Sequence, residues 1–145
     1  MSRALVLRAE LTEDPDKQQA DLDRAVKAAG TRDKEILRSR GIFYLLKRND
    51  AKSALTDFDA AAKIDPEDGA THHLRGLTLM ELNQPHEAVE ALDKAIALGN
   101  KNPQTRLQLA RAKMADKDGK GALAELDKLL DAAPGNPAVL LMCRD

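Results

Sequence analysis

Three histidines are the side chains of this chain that most suggest a metal site. His72 and His73 are adjacent, and His86 lies near the start of a different predicted helix. Neighbouring residues on a helix point about 100° apart, so His72 and His73 cannot both bind one ion. We therefore predict no metal site at these histidines.

Acidic residues after position 115 approach the pattern of a calcium-binding loop. Asp116, Asp118, Gly119 and Glu125 match positions 3, 5, 6 and 12 of that template, but its first position would be Met114. Methionine offers no oxygen ligand there. We interpret the stretch as the turn between two helices.

The sequence holds no residue pattern typical of catalysis. It has no phosphate-binding loop, no nucleophile elbow and no Ser/His/Asp set. The paired acids Glu13-Asp14 and Glu67-Asp68 fall in predicted turns, where carboxylates are ordinarily solvated or capping. Cys143, the single cysteine, lacks a neighbouring base and cannot form an internal disulfide. We expect a protein that is not an enzyme and uses no cofactor.

Composition narrows the class of partner. The chain has 145 residues, a formal net charge of -1 and only 2% aromatic residues. Its basic and acidic residues are interleaved, so no positive field favours nucleic acid. No apolar stretch has the length of a membrane span, and no signal-peptide core forms near the N-terminus. We therefore expect neither nucleic acid nor a membrane as the partner and, by default, a cytoplasmic location.

A four-residue pattern that recurs along the chain indicates internal repeats. Leu22-Asp23-Arg24-Ala25 is followed by similar tetrads at steps of 36, 34 and 34 residues. The later tetrads are Phe58-Asp59-Ala60-Ala61, Leu92-Asp93-Lys94-Ala95 and Leu126-Asp127-Lys128-Leu129. Each tetrad lies in a predicted amphipathic helix, which we call helix B of its repeat.

A second amphipathic run, helix A, precedes each helix B. The apolar spacing places these helices at about residues 2–11, 34–46, 70–82 and 104–114. The sequence thus predicts an all-α fold of four helical hairpins.

Proline and glycine mark the helix boundaries. Asp14-Pro15, Asn102-Pro103 and Asn136-Pro137 each place a capping side chain before a proline at the first helical position. Gly30 and Gly99 suit left-handed caps at helix ends.

These boundaries define one repeat domain over residues 1–145. Its hairpins span about 1–32, 34–67, 69–102 and 103–136, followed by a partial helix at 137–145. The last segment is apolar and too short to close a solenoid. We expect the chain to be a segment of a longer protein.

The repeat resembles the tetratricopeptide repeat, a 34-residue helical hairpin with large and small apolar residues at fixed positions. The best copy has Gly41 at position 8, Phe58 at 24 and Pro66 at 32. The other residues that match are Leu37, Tyr44, Ala54 and Ala61 in this copy, Gly76, Leu79, Ala88, Leu92 and Ala95 in the next, Ala110, Ala122, Leu126 and Pro134 in the last, and Ala9, Leu22 and Ala25 in the first. The resemblance implies a right-handed superhelical solenoid.

Some residues depart from the family pattern. His72, Arg106 and Lys113 replace large apolar residues, and Arg48 resembles a one-residue insertion between helices. Arginine precedes the small residue in Arg40-Gly41 and Arg75-Gly76, a form similar to bacterial repeats of this family. We expect Arg40 and Arg75 to pair with helix-B carboxylates.

Helix A lines the concave wall in this family, which implies a candidate binding groove. Position 9 is assigned to Leu7, Ile42, Leu77 and Arg111, position 12 to Glu10, Leu45, Met80 and Met114, and position 5 to Arg3, Arg38, His73 and Leu107. The candidate groove residues are Arg3, Leu7, Arg38, Ile42, Leu45, His73, Leu77, Met80, Gln108 and Arg111. An apolar floor with a basic edge implies a peptide with apolar anchors and a carboxylate.

Two alternatives remain at this point. Leu45, Met80 and Met114 could pack against the next hairpin and never contact a ligand. The chain could instead be a structural spacer or oligomerisation module that self-associates through residues 137–145. Some members of the family bind a C-terminal carboxylate through asparagines, but apolar residues such as Leu7, Ile42 and Leu74 stand at those positions and disfavour that mode.

Overall fold

The computed structural model of the protein describes residues 1–30, 32–135 and 137–142. In these residues the chain forms nine α-helices and no strand. The helices are α1 (Ser2–Leu11), α2 (Pro15–Ala29), α3 (Lys34–Lys47), α4 (Ala51–Ile64), α5 (Gly69–Glu81), α6 (Pro85–Ala97), α7 (Pro103–Ala115), α8 (Gly119–Ala132) and α9 (Pro137–Met142).

This order confirms the predicted all-α architecture. The four helices A are α1, α3, α5 and α7, and each begins and ends within about one residue of its predicted bounds. The four helices B carry the tetrads, and α9 corresponds to the predicted partial helix at the C-terminal end. Short connections of about three residues join the helices of each hairpin, as expected for antiparallel neighbours.

The contacts divide the chain into two compact units, the first covering Met1–Thr71 and the second beginning at His72. The first contains the hairpins α1/α2 and α3/α4. The second contains α6 to α9 and most of α5. That the four hairpins act as one domain stays a prediction.

The helix boundaries follow the capping residues. Asp14 accepts a hydrogen bond from the backbone of Asp16 ahead of Pro15, and Asn102 accepts one from Gln104. Gly30 closes α2 in the left-handed conformation at φ 64°. These caps confirm the predictions for α2 and α7; α9 begins at Pro137, while Asn136 lies outside the described residues.

The turn between α3 and α4 contains the predicted extra residue. The amide of Asp50 donates to the carbonyl of Tyr44, six residues earlier. The equivalent turns close over five residues, from Gln84 to Leu79 and from Asp118 to Lys113. The insertion anticipated at Arg48 is therefore confirmed, and it widens the last turn of α3.

Small residues set the distance between the helices of a hairpin. In the first unit, a Cβ atom at Gly41 would lie 2.6 Å from the ring of Phe58, which is fully buried. In the second, a Cβ atom at Gly76 would lie 2.5 Å from the side chain of Leu92. Both distances are shorter than van der Waals contact, so only glycine fits between the helices.

Each unit has its own apolar core. One cluster of the first unit joins Val26, Ile36 and Leu37, and a second joins Ala9, Leu22 and Phe43. In the second unit, Leu107 and Leu126 form a cluster with their neighbours on α7 and α8. The clusters of the first unit take side chains from both of its hairpins, so the two hairpins share one core.

We expect Gly41→Ala to lower the free energy of unfolding by about 1–2 kcal/mol. Overpacking against Phe58 is worth about 1–3 kcal/mol, and it outweighs the gain of about 1 kcal/mol in helix propensity. Chemical denaturation followed by circular dichroism measures the change. Gly119→Ala is the control, since a Cβ atom there meets nothing within 4 Å. An unchanged stability for Gly41→Ala would contradict the close-packing argument.

Candidate functional site

Each hairpin of the first unit has an ion pair between an arginine of helix A and a buried aspartate of helix B. Arg40 donates to Asp57 through Nε at 2.8 Å and through Nη2 at 2.7 Å, which confirms its predicted pairing with a helix-B carboxylate. Arg8 forms the same two-pronged contact with Asp21. The hydrogen bonds from Arg8 lower the pKa of Asp21. A bidentate pair of this kind fixes geometry as well as charge.

The ion pairs correct the alignment of the first helix. Ala9 follows Arg8 and is fully buried, just as Gly41 follows Arg40. Arg8 and Ala9 of α1 therefore take the place of the Arg-Gly pair of α3. This register moves Leu7 from position 9 to position 6 of the repeat. The sequence alignment was wrong there because it assumed that both hairpins have helices of equal length.

A cleft of about 320 Å³ lies between α1 and α3, and we call it the α1–α3 cleft. Two predicted groove residues, Arg3 and Leu7, line it together with Val6, Ile36 and Ser39. Leu7 is 60% exposed at the side of this apolar cleft. The cleft thus joins residues of two successive helices A on one surface.

A smaller cavity of about 180 Å³ adjoins this cleft at Ser39, and we call it the notch. The predicted groove residue Ile42 lines the notch, as does Leu46, which is 73% exposed. Leu46 was absent from the sequence prediction. Its spacing of four residues from Ile42 on the same helix face could have indicated it.

Arg38, predicted as a groove residue, is held by carboxylates of its own unit. Its Nη1 lies 3.1 Å from Asp68 and 3.3 Å from Glu35. Lys34 adds a contact of 2.6 Å to Asp65 in the same connection after α4. These pairs tie the connection to α3. Leu45, the remaining candidate in this unit, is half-buried.

In the second unit, His73 is the candidate with the most defined surroundings. Its Nδ1 lies 3.0 Å from the hydroxyl of Thr105 on α7. That hydroxyl also donates to the side chain of Asn100 at 3.2 Å. Burial lowers the pKa of His73, which favours its neutral form.

The other candidates of the second unit differ in exposure. Arg111 is exposed, whereas Leu77, Met80 and Gln108 are half-buried. Met114, predicted as an alternative core residue, is 53% exposed. Whether these side chains contact a ligand stays a prediction.

Three cationic side chains donate hydrogen bonds to one buried carboxylate on α8. Glu125 accepts hydrogen bonds from Arg106 at 2.5 Å, from Lys113 at 3.2 Å and from Lys128 at 3.1 Å. Burial alone would raise the pKa of Glu125, but these hydrogen bonds outweigh it and the pKa lies below its usual value. Glu125 is thus a structural anion, which explains why cations replace apolar residues at positions 106 and 113.

The residues that suggested a metal site have separate partners. His86 lies 3.1 Å from Asp116, and Asp118 caps α8 by accepting from the amide of Gly121. Across the part of the chain that the structure describes, no group of three potential metal ligands comes together. Within the same residues, none of the helices combines the length and apolar character required to cross a bilayer. Cys143 lies outside the described residues.

Comparison with known proteins supports the repeat assignment. Residues 79–144 match the tetratricopeptide repeat family. Anaphase-promoting complex subunit 7 of Dictyostelium discoideum is 33% identical over 100 residues, which cover 69% of this chain. The match spans only 17% of that relative's length.

Solved structures of the same fold cover most of the chain. A MamA RS-1 double mutant has a TM-score of 0.83 and 21% identity, over 93% of this chain and 75% of the other. The first repeat domain of Spaghetti (RPAP3), bound to the HSP90 peptide SRMEEVD, has a TM-score of 0.69 and 18% identity, over 79% of this chain and 92% of the other. The repeated hairpins and these matches place the chain in the tetratricopeptide repeat family.

We expect Asp57→Asn to destabilise the protein by about 3 kcal/mol. Breaking a buried ion pair is worth about 3–5 kcal/mol, and Arg40 retains Asp23 at 3.0 Å. Asp16→Asn removes an exposed partner of Arg48 and should change stability very little. Urea unfolding of both variants tests this, and equal effects would contradict a special role for Asp57.

The pKa values of His73 and His86 should be shifted in opposite directions. In an NMR titration, we expect the pKa of His73 below 6.5 because of burial, and that of His86 above 6.5 because of its hydrogen bond to Asp116. A lowered folded-state pKa means that the contribution of His73 to stability is present above pH 6.5 and is lost as the pH falls. His73→Gln should reduce that loss. A His73 pKa above that of His86 would contradict this assignment.

Proposed function

We propose that the protein is a non-enzymatic scaffold that binds a protein or peptide through its helix-A surfaces. The observation that carries the proposal is the apolar α1–α3 cleft, beside which Leu7 remains 60% exposed. Binding of a partner that covers this exposed leucine is favourable, because it removes apolar surface from water. The proposed contact residues in this unit are Arg3, Leu7 and Ile42.

The chemistry of the cleft favours a peptide over a small charged ligand. Val6, Leu7 and Ile36 form its walls, while Arg3 supplies a cation and Asp33 and Glu35 supply anions at the edges. A peptide can bury apolar side chains between the walls and pair its own charges with both edges. A phosphate or nucleotide would meet mixed charge and few donors.

The comparisons support the same class of function. The RPAP3 domain binds a peptide, and the Dictyostelium relative is a subunit of a multi-protein complex. Both share the repeat with this chain and differ in length and sequence. The family therefore supports protein binding, while the peptide sequence preferred here follows from this chain's own residues.

A second candidate function is a structural spacer or oligomerisation module. Leu140 and Leu141 on α9 are 50% and 68% exposed, and an apolar helix end favours stacking on another protein surface. Light scattering of the chain and of a variant lacking residues 137–145 addresses this candidate. A concentration-dependent dimer that disappears on deletion would favour it.

We expect Leu7→Glu to weaken binding of peptides selected on the wild-type protein from a random-sequence phage library. The glutamate places an anion against the apolar wall, and loss of the leucine contact should lower affinity about tenfold or more. Fluorescence anisotropy of the selected peptides measures the affinities.

The matched control is Leu123→Glu. Leu123 lies on α8 and is 58% exposed, so the substitution changes the same side chain at the same exposure on a helix B. Its peptide affinities should equal those of the wild type. Equal losses in both variants, or a library without enriched peptides, would contradict the proposal.

A further inference from the structure

The notch results from the shortness of α1. Asp21 follows Arg8 by 13 residues, whereas Asp57 follows Arg40 by 17. The first hairpin therefore lacks four residues, about one helical turn, between its ion-paired arginine and aspartate. Helix α1 ends at Leu11, three residues after Arg8, while α3 continues to Lys47. A full-length α1 would continue beside Ile42 and Leu46.

The missing turn exposes part of the apolar core. The notch is lined by Ala9, Leu22 and Phe43, which form one core cluster, and by Ile42 and Leu46. Its volume of about 180 Å³ is close to that of cavities of about 150 Å³ that bind benzene. A single phenyl or isobutyl group therefore fits the space.

The rim of the notch carries one charge of each sign. Glu10 lies on the α1 side and Lys47 on the α3 side, and both are exposed. Within the described residues neither makes an ion pair, in contrast to Arg8, Arg40 and the other charges that join helices of this unit. A partner with a base near Glu10 and an acid near Lys47 complements this rim.

We propose that the notch is an anchor site for one large apolar side chain, such as phenylalanine, on a partner peptide that carries an acidic and a basic residue on either side of it. The anchor replaces the apolar residues of the missing turn and covers Leu22 and Phe43. Because the notch meets the α1–α3 cleft at Ser39, the peptide continues along the same surface. This inference deepens the proposed function and rests on it.

Designed peptides test the proposal. The probe is a capped alanine-based peptide with a central phenylalanine, aspartate one helical turn to one side and lysine one turn to the other, made in both charge orders. We expect NMR shifts of the Ile42 and Leu46 methyl groups on titration. Replacing the phenylalanine by alanine should weaken binding about tenfold or more. Replacing both charges by glutamine should weaken it about two- to fivefold.

Protein variants locate the site. Leu46→Gln removes one wall of the notch and should weaken the phenylalanine probe about tenfold. Leu11→Gln is its control, because Leu11 is also an exposed leucine on a helix A of this unit, at 86% exposure. Gln18→Phe, which projects from α2 into the notch, should block the probe independently. Circular dichroism establishes that all three variants remain folded.

The outcomes separate this inference from the proposed function. Equal affinity for the phenylalanine and alanine probes would overturn the proposal that the notch binds an apolar side chain. Undiminished binding of the phenylalanine probe to the Gln18→Phe variant would overturn it as well. If library peptides then still depend on Leu7, the proposed function stands without it. Shifts of the Ile42 and Leu46 methyl signals that depend on protein concentration in the absence of peptide would indicate that a second copy of this chain binds at the notch. That result would also overturn the proposal.

Discussion

The close approach of two helices at a small residue is the constraint on which each hairpin depends, and in α3/α4 and α5/α6 that residue is glycine. Gly41 admits the ring of Phe58 at a distance that no side chain would allow. Arg40 precedes that glycine and Asp57 precedes that phenylalanine, so the same crossing brings the arginine and the carboxylate together. The steric contact fixes the distance between the helices, and the bidentate ion pair fixes their register.

The same pair of contacts explains why α1 can be short without disrupting its hairpin. Ala9 packs with Leu22, and Arg8 reaches Asp21, although one turn fewer separates them. The residues that would follow are outside the crossing, so their loss leaves the core contact intact. The absence of this turn leaves part of α3 exposed, as at Leu46, which is 73% exposed. A shorter connection therefore changes the surface of the unit more than its interior.

The sequence predicted the helices well because their determinants are local. Apolar spacing, proline after a capping residue and glycine after a helix end located α2, α3 and α7 within about one residue. The surroundings of a site residue depend on its tertiary contacts, and the local sequence does not determine those contacts. Arg38 and His73 stay candidate ligand contacts, and the structure adds hydrogen-bond partners, Asp68 and Thr105, that lie about 30 residues away in sequence. Leu7 was aligned by a constant period that the short α1 breaks.

The hairpin α7/α8 keeps a buried carboxylate on helix B but takes its cations from other positions. At the place of Arg40, the hairpin α7/α8 has Leu109, which is buried, yet Glu125 stands at the place of Asp57. Its cations come from Arg106 and Lys113, about one turn to either side. A buried helix-B carboxylate with donors on each side keeps a low pKa and is already hydrogen-bonded, so it is a poor proton acceptor. Because the buried charges pair with one another in this way, the proposed binding function depends on the apolar residues and unpaired charges of the helix-A faces.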